Sequence, residues 1–357
     1  MKSDIKNVMC RAIRGEELTI GFLGGSITQG SLATDEKKTY AYRVYEWWCK
    51  SFPKAVFHYV NAGIGGTTSY FGAARAEKDF LMYRPDFAVV DFSVNDEPDE
   101  LFMETYEGLI RKLLKAPSHP AVIALCNAWY KDLKTAEDYH ARVLSHYEIP
   151  YVSVRKRLKK MENNQNYHYS ELSPDGLHPN DMGHKKLAED LIFELESIKT
   201  EAEKEETPVL SERIIKPPYY TDRYERTMLW NITNINPELH GFMADYREKS
   251  GHLDFFKNGW TGKKKGDEIS FQINCRSLAV QYKKNVKHPA EKAFAILDGD
   301  EKNKILLDGN FEETWGDCLF MTELIHEKSE KEHILKIVIE DEIKNAEPFY
   351  LLSVITA

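Results

Sequence analysis

Between residues 18 and 154 the chain carries five short runs in which nearly every residue is apolar: Leu18–Leu23, Val56–Val60, Phe87–Phe92, Ala121–Cys126 and Tyr151–Val154. A strand with one wet face alternates polar and apolar residues. A run without alternation needs cover on both faces, as in a parallel sheet. Segments with helical spacing lie between the runs. Ala41, Val44, Tyr45 and Trp48 recur at helical intervals, which sets Tyr45 and Trp48 toward a core. From Gly183 to about Lys199 a second pattern aligns Leu187, Leu191 and Leu195. This alternation predicts a three-layer α/β domain with right-handed crossovers. Ligands of such a sheet bind at the carboxyl ends of its strands.

Past residue 200 the pattern changes. The charge run Glu201–Glu206 and the pair Pro217-Pro218 read as a linker. Strand-like stretches follow: Glu268–Ile273, Leu278–Tyr282, Ala293–Leu297, Ile305–Leu307, Leu319–Leu324, His333–Ile339 and Phe349–Ile355. Asp298-Gly299-Asp300 and Asp308-Gly309-Asn310 mark turns between some of them. The expectation is a first domain over residues 1–205, a linker over 206–220, and an all-β sandwich or jelly roll over 221–357.

The 357 residues carry a formal charge of −9 with Lys and Arg scattered, so no basic face points to nucleic acid. No apolar run reaches membrane-spanning length, and the first residues lack the apolar region of a secretory signal. The five cysteines are odd in number and widely spaced, which suits reduced thiols and a cytoplasmic location. No His, Cys or carboxylate spacing marks a metal site. Oligomeric state is not legible.

Four distant segments carry chemistry: Gly24-Gly25-Ser26-Ile27-Thr28, Asn61 to Thr68 with Gly63, Gly65 and Gly66, Ser93-Val94-Asn95-Asp96, and Asp175-Gly176-Leu177-His178-Pro179. The first three follow strands one to three, and the fourth precedes the last helix. Alone, each has a plainer reading. Ser26 suits a helix cap, the glycines a flexible turn, Asn95 an Asx turn, and Asp175 to Pro179 a structural loop. Together they supply what acyl transfer needs: a serine nucleophile, a histidine base, an acid to orient it, and donors for an oxyanion.

On these segments, residues 18–198 resemble the SGNH (GDSL-like) hydrolases. The resemblance implies a flavodoxin-like α/β/α fold and ester cleavage without a metal or organic cofactor. It implies that Ser26, Asp175 and His178 form the triad, and that Ser26, Gly66 and Asn95 supply the oxyanion donors, with Gly65 as the alternative glycine. Gly25 stands where many members have aspartate, and the variant Gly-Gly-Ser-Ile-Thr resembles the carbohydrate-esterase branches. The second half resembles the carbohydrate-binding-module-like domain of two-domain acetylesterases that act on plant polysaccharides such as acetyl-mannan or acetyl-xylan. The implied partner is an acetylated oligosaccharide, with Trp129, Trp315 and Asp317 as candidate contacts and Trp260 as a further stacking candidate. The alternatives are a thioesterase or general small-ester hydrolase, or a non-catalytic sugar-binding protein on a decayed hydrolase scaffold.

Overall fold

Five parallel strands, β1 (Glu17–Gly24), β2 (Val56–Gly63), β3 (Phe87–Asp91), β4 (Ala121–Cys126) and β5 (Tyr151–Ser153), form one sheet in the order β2-β1-β3-β4-β5. The structure is a computed structural model and describes residues 2–162, 168–204 and 214–357. The helices are α1 (Lys2–Ile13), α2 (Ser26–Gln29), α3 (Tyr40–Ser51), α4 (Ser69–Asp79), α5 (Glu100–Lys115), α6 (Glu137–His146), α7 (Val154–Glu162) and α8 (Asp181–Ala202).

The runs in β1, β3 and β4 are buried on both faces, which is why they lack alternation, whereas the edge strands β2 and β5 are only partly covered, with Val56 and His58 exposed. Phe87 and Val89 point into a core shared with α1, α3 and α8, while Ala88 and Val90 face α4, α5 and α6. Trp48 fills the first core, and Leu187, Leu191 and Leu195 join it from α8, as their spacing predicts. The chain moves from β1 to β2 on one side and then crosses to β3 on the other. That reversal creates a crevice at the carboxyl end of β1. The register sets the three strand ends level there, with Gly24 opposite both Gly63 and Asp91.

The chain divides into compact units at Met1–Arg226 and Thr227–Ala357, later than the expected boundary. Residues 206–213 of the expected linker lie outside the described residues. Residues 214–226 pack on the first unit. Glu107 of α5 is fully buried and accepts the backbone N–H groups of Tyr219, Tyr220 and Thr221, and the Tyr147 hydroxyl. Arg111 donates to the Lys216 carbonyl and to Glu225, and Arg223 pairs with Glu104 at 2.9 Å. Tyr224 is buried edge-on against Tyr70, over Gly108, where a Cβ would collide with it. Proline at 217 and 218 bars regular structure, but side-chain acceptors replace the missing ladder bonds.

The second unit is antiparallel: β6 (Met228–Trp230), β7 (Glu238–His240), β8 (Met243–Ala244), β9 (Trp260–Gly262), β10 (Glu268–Lys284), β11 (Lys292–Leu297), β12 (Ile305–Asp308), β13 (Cys318–Val338) and β14 (Phe349–Thr356). Two pairs of expected strands are each one long strand. β10 unites Glu268–Ile273 with Leu278–Tyr282, and β13 unites Leu319–Leu324 with His333–Ile339 save for Ile339 itself. Their shared ladder slips at Cys275/Ser277 and at Leu278/Ala279. Such irregularities bend strands, and all nine strands stay in one hydrogen-bonded sheet. One half flanks β7 and β11, the other flanks β14. Both halves bury residues in one core, Ile269 and Phe271 from the first, Val280 and Tyr282 from the second.

Replacing Glu107 with Ala leaves three backbone donors and a phenol without their acceptor. A loss of about 2–4 kcal/mol is expected by chemical denaturation. An unchanged midpoint would mean that the 214–226 segment contributes nothing to the first unit's stability.

Candidate active site

Ser26 opens α2, a single helical turn directly after β1. A first-turn N–H has no partner within its helix, so the Ser26 N–H is free to point at a ligand. Gly25 precedes it in close contact with the third segment. A Cβ on Gly25 would lie 2.4 Å from Asn95 Oδ1. The glycine found here in place of aspartate therefore lets the Asn95 amide approach the serine turn.

The fourth segment reaches the serine from the far end of the sequence. His178 Nε2 lies 2.8 Å from Ser26 Oγ, and His178 Nδ1 lies 2.7 Å from Asp175 Oδ2. The other Asp175 oxygen accepts the His178 N–H at 2.7 Å and the Leu177 N–H at 2.9 Å, with the Ser173 hydroxyl at 3.3 Å. Burial works to raise the Asp175 pKa, but the His178 hydrogen bond and the two backbone donors hold it below the usual carboxylate range. An ionised Asp175 requires the proton on Nδ1, which leaves Nε2 with a lone pair toward the serine hydroxyl. Asn180 holds this loop from behind. Its side chain caps α8 at Met182 and Gly183 and donates to the Glu171 carbonyl.

Two glycines were candidates for the second backbone donor. Gly65 N–H is engaged by Gln29 Oε1 at 2.7 Å. Gly66 has φ of +68°, a left-handed conformation that disfavours other residues. The engaged Gly65 leaves Gly66 as the glycine whose N–H is available. Asn95 sits in a clamped loop. Asp96 accepts the Ser69 N–H at 2.8 Å and faces His140 Nε2 at 2.9 Å, while His140 stacks on Tyr106 at 3.7 Å.

Several supporting residues gave no sequence signal beyond their type. Arg75 of α4 is buried and donates from Nη2 to the Gly24 carbonyl at 3.1 Å and the Ala62 carbonyl at 2.7 Å. It thereby ties the ends of β1 and β2. Asn61 donates to the Thr28 carbonyl at 2.8 Å, joining the glycine loop to α2. A lone arginine within an alanine-rich helix was the available clue. His184 also lies close by, but burial drives its pKa down to about 4. It accepts from the Tyr40 N–H and therefore donates to the Ser31 carbonyl, a structural role.

The expected sugar contacts divide. Trp129 follows β4 at the same sheet edge, half-buried, and donates to the Val94 carbonyl beside Asn95 at 3.3 Å. Trp315 belongs to the second unit and is 59% exposed, edge-on to Phe311. Asp317 has both oxygens engaged, one by the Val286 N–H and the other by Lys283 at 2.6 Å. Trp260 is a core residue, 1% exposed and edge-on to Phe271, because β9 turns it inward, so it offers no face for stacking. Among the described residues no group of His, Cys and carboxylates is placed to hold a metal, and no helix is long and apolar enough to cross a membrane.

Residues 22–186 match the model of the GDSL-like lipase/acylhydrolase family. Across the whole chain, the protein is similar to a solved two-domain esterase active on acetylated mannans. The identity is 43%, with 100% of this chain and 95% of that one covered, at a TM-score of 0.95. It is equally similar, at 43% identity, to such an esterase co-crystallized with mannopentaose, with 99% and 94% covered and a TM-score of 0.93. No curated protein matches the chain.

Replacing Gly25 with Ala pushes a methyl group into the Asn95 amide. The expected result is a kcat lower by about ten- to a hundredfold with KM little changed, since an oxyanion donor acts in the transition state. Unchanged turnover of p-nitrophenyl acetate would mean that Asn95 moves aside without consequence.

Proposed function

This chain belongs to the GDSL-like lipase/acylhydrolase family, and we propose that it removes acetyl groups from mannan-type oligosaccharides through an acyl-enzyme. The observation that carries the mechanism is the continuous chain from Ser26 Oγ through His178 to Asp175, at 2.8 and 2.7 Å. Ser26 attacks the ester carbonyl while His178 Nε2 takes its proton. Asp175 keeps the imidazole in the tautomer that can accept it, and stabilises the imidazolium that forms. The Ser26 and Gly66 N–H groups and the Asn95 side-chain amide receive the tetrahedral oxyanion. His178 then protonates the departing sugar hydroxyl, and afterwards deprotonates the water that releases acetate from Ser26. None of these steps calls on a metal or an organic cofactor.

The substrate class rests on the two relatives that match along the whole chain. The second unit supports it with Trp315, whose exposed indole offers a flat face of the kind that stacks on a sugar ring. We propose a carbohydrate-binding role for the second unit and a cytoplasmic location for the enzyme, the latter supported by its unpaired cysteines.

Acetate release from acetylated manno-oligosaccharides, followed by mass spectrometry, tests the reading. Ser26→Ala is expected to lower it by at least about a thousandfold. Asn95→Ala is expected to lower kcat by about two to three orders of magnitude while Ser26 still reacts with a fluorophosphonate. Near-native release by Ser26→Ala would overturn the nucleophile. Trp315→Ala is expected to raise KM for the acetylated oligosaccharide about fivefold or more and to leave p-nitrophenyl acetate hydrolysis unchanged. Equal effects on both substrates would remove Trp315 from sugar binding.

A further inference from the structure

Beneath the serine turn lies a buried acid that the mechanism above does not use. Asp91 ends β3, is 2% exposed, and has no ion-pair partner among the described residues. Its Oδ2 accepts from Asn127 Nδ2 at 2.9 Å and from the Thr28 hydroxyl at 3.3 Å. Two oxygens in this pair have no partner: Asp91 Oδ1 and Asn127 Oδ1, both sealed from solvent. An ionised carboxylate would leave both as buried acceptors with nothing to accept, a costly arrangement. One proton on Asp91 Oδ1 satisfies both, because an acid and a primary amide close a ring with one N–H···O and one O–H···O bond.

We propose that Asp91 is a positioning residue held as the neutral acid, donating its proton to Asn127 Oδ1 and so locking the nucleophile turn to the loop that carries Asn95. Hydrogen bonds fix both ends of that lock. The Asp91 carbonyl accepts the Gly25 N–H at 3.2 Å, and its side chain holds Thr28, two residues after Ser26. The Asn127 carbonyl accepts the hydroxyls of Ser93, at 2.8 Å, and Thr135, at 2.6 Å, and Ser93 lies two residues before Asn95. The catalytic half of this proposal rests on the ester-hydrolase reading, whereas the protonation half does not.

The surroundings favour the neutral form. Burial is the main cause, pushing the Asp91 carboxyl up to about 7 against the hydrogen bonds from Asn127 and Thr28, and the Asp96 carboxylate adds to the rise. The other titratable groups facing it are Tyr40 from α3, Tyr106 from α5 and Cys126 from β4. Burial raises each of the three above its ordinary value and so keeps it neutral, and a phenol or thiol has no cationic form that could hold Asp91 ionised. Thr28 passes the contact on to the Tyr40 hydroxyl at 2.7 Å. Arg75, the buried cation of this region, gives Nη2 to the Gly24 and Ala62 carbonyls and Nη1 to Asp79.

The folded chain keeps a proton that the unfolded chain gives up above about pH 4, so this contribution to stability falls as pH rises from there to about 7 and is level beyond. Within that window the folding equilibrium loses about tenfold per pH unit from this one group. Asparagine at position 91 has the same shape, donates to Asn127 Oδ1 permanently, and does not titrate.

The test uses the full chain and three measurements. First, infrared difference spectra of the wild type are expected to contain a buried protonated-carboxyl band at pH 6 that fades above about pH 7 and is missing from Asp91→Asn. Second, the melting temperature of Asp91→Asn minus that of the wild type is expected to widen from pH 5 to 7 and then stay constant. Third, Asp91→Ala is expected to lower kcat about tenfold or more, and Asp91→Asn to restore it and remove an alkaline decline with its midpoint near pH 7. Absence of the wild-type band, or a melting gap that does not vary with pH, overturns the neutral acid, whatever the protein hydrolyses. A band with no alkaline decline, and with kcat equal in all three proteins, overturns the positioning role. The band needs only the wild type, so a variant that fails to fold does not remove the test.

Discussion

The site depends on three strand ends held level at the reversal of one parallel sheet. Gly24 lies opposite Gly63 on one side and Asp91 on the other, so the serine turn, the glycine loop and the Asn95 loop leave the sheet at the same height. Parallel ladders give that alignment only as long as the register holds, and a slip by one residue would send each side chain to the opposite face. Arg75 secures the alignment between β1 and β2 through two carbonyls, and the Gly25 N–H to Asp91 carbonyl bond secures it between β1 and β3. Asp175 and His178 need no such help from the sheet. They are three residues apart on one turn, and the Asn180 cap of α8 orients that turn toward Ser26.

Burial and hydrogen bonding are matched around this edge in different ways. Glu107 is buried as an acceptor for four donors, which anchors residues 214–226 without any regular ladder. His184 is buried as a neutral ring with one nitrogen accepting and the other donating. Asp91 is buried with fewer donors than its lone pairs need. These three cases follow one rule: a titratable group removed from water takes the protonation state that its fixed neighbours can satisfy. At the reacting end the same rule sets the tautomer of His178 through Asp175.

Much of the first unit was legible because local chemistry and burial agree there. Nearly unbroken apolar runs read as strands of a covered parallel sheet, and the first three motifs sit where its strand ends must be, while the fourth precedes α8. The second unit was legible as all-β but not strand by strand. The polar residues between Ile273 and Leu278, and between Leu324 and His333, look like turns, yet the ladder slips allow the chain to continue through them as bent strands. Trp260 and Trp315 are the same residue type in one unit, and only neighbours decide that one is core and the other exposed.

By itself the sequence determined the α/β and all-β halves, and it singled out the Ser26, Asp175 and His178 set and the glycine and asparagine blocks as candidates, because each is a short-range pattern with a chemical reason. Tertiary structure alone decided what crosses between segments. It engaged Gly65 with Gln29 and left Gly66 available, brought Gly25 against Asn95, and placed residues 214–226, expected as the end of the linker and the start of the second domain, on the first unit. It also enlisted Arg75, Asp91 and Asn127, whose sequence neighbours are ordinary core residues. The physical reason is that a buried polar group is defined by its partners, and these partners lie dozens of residues away along the chain.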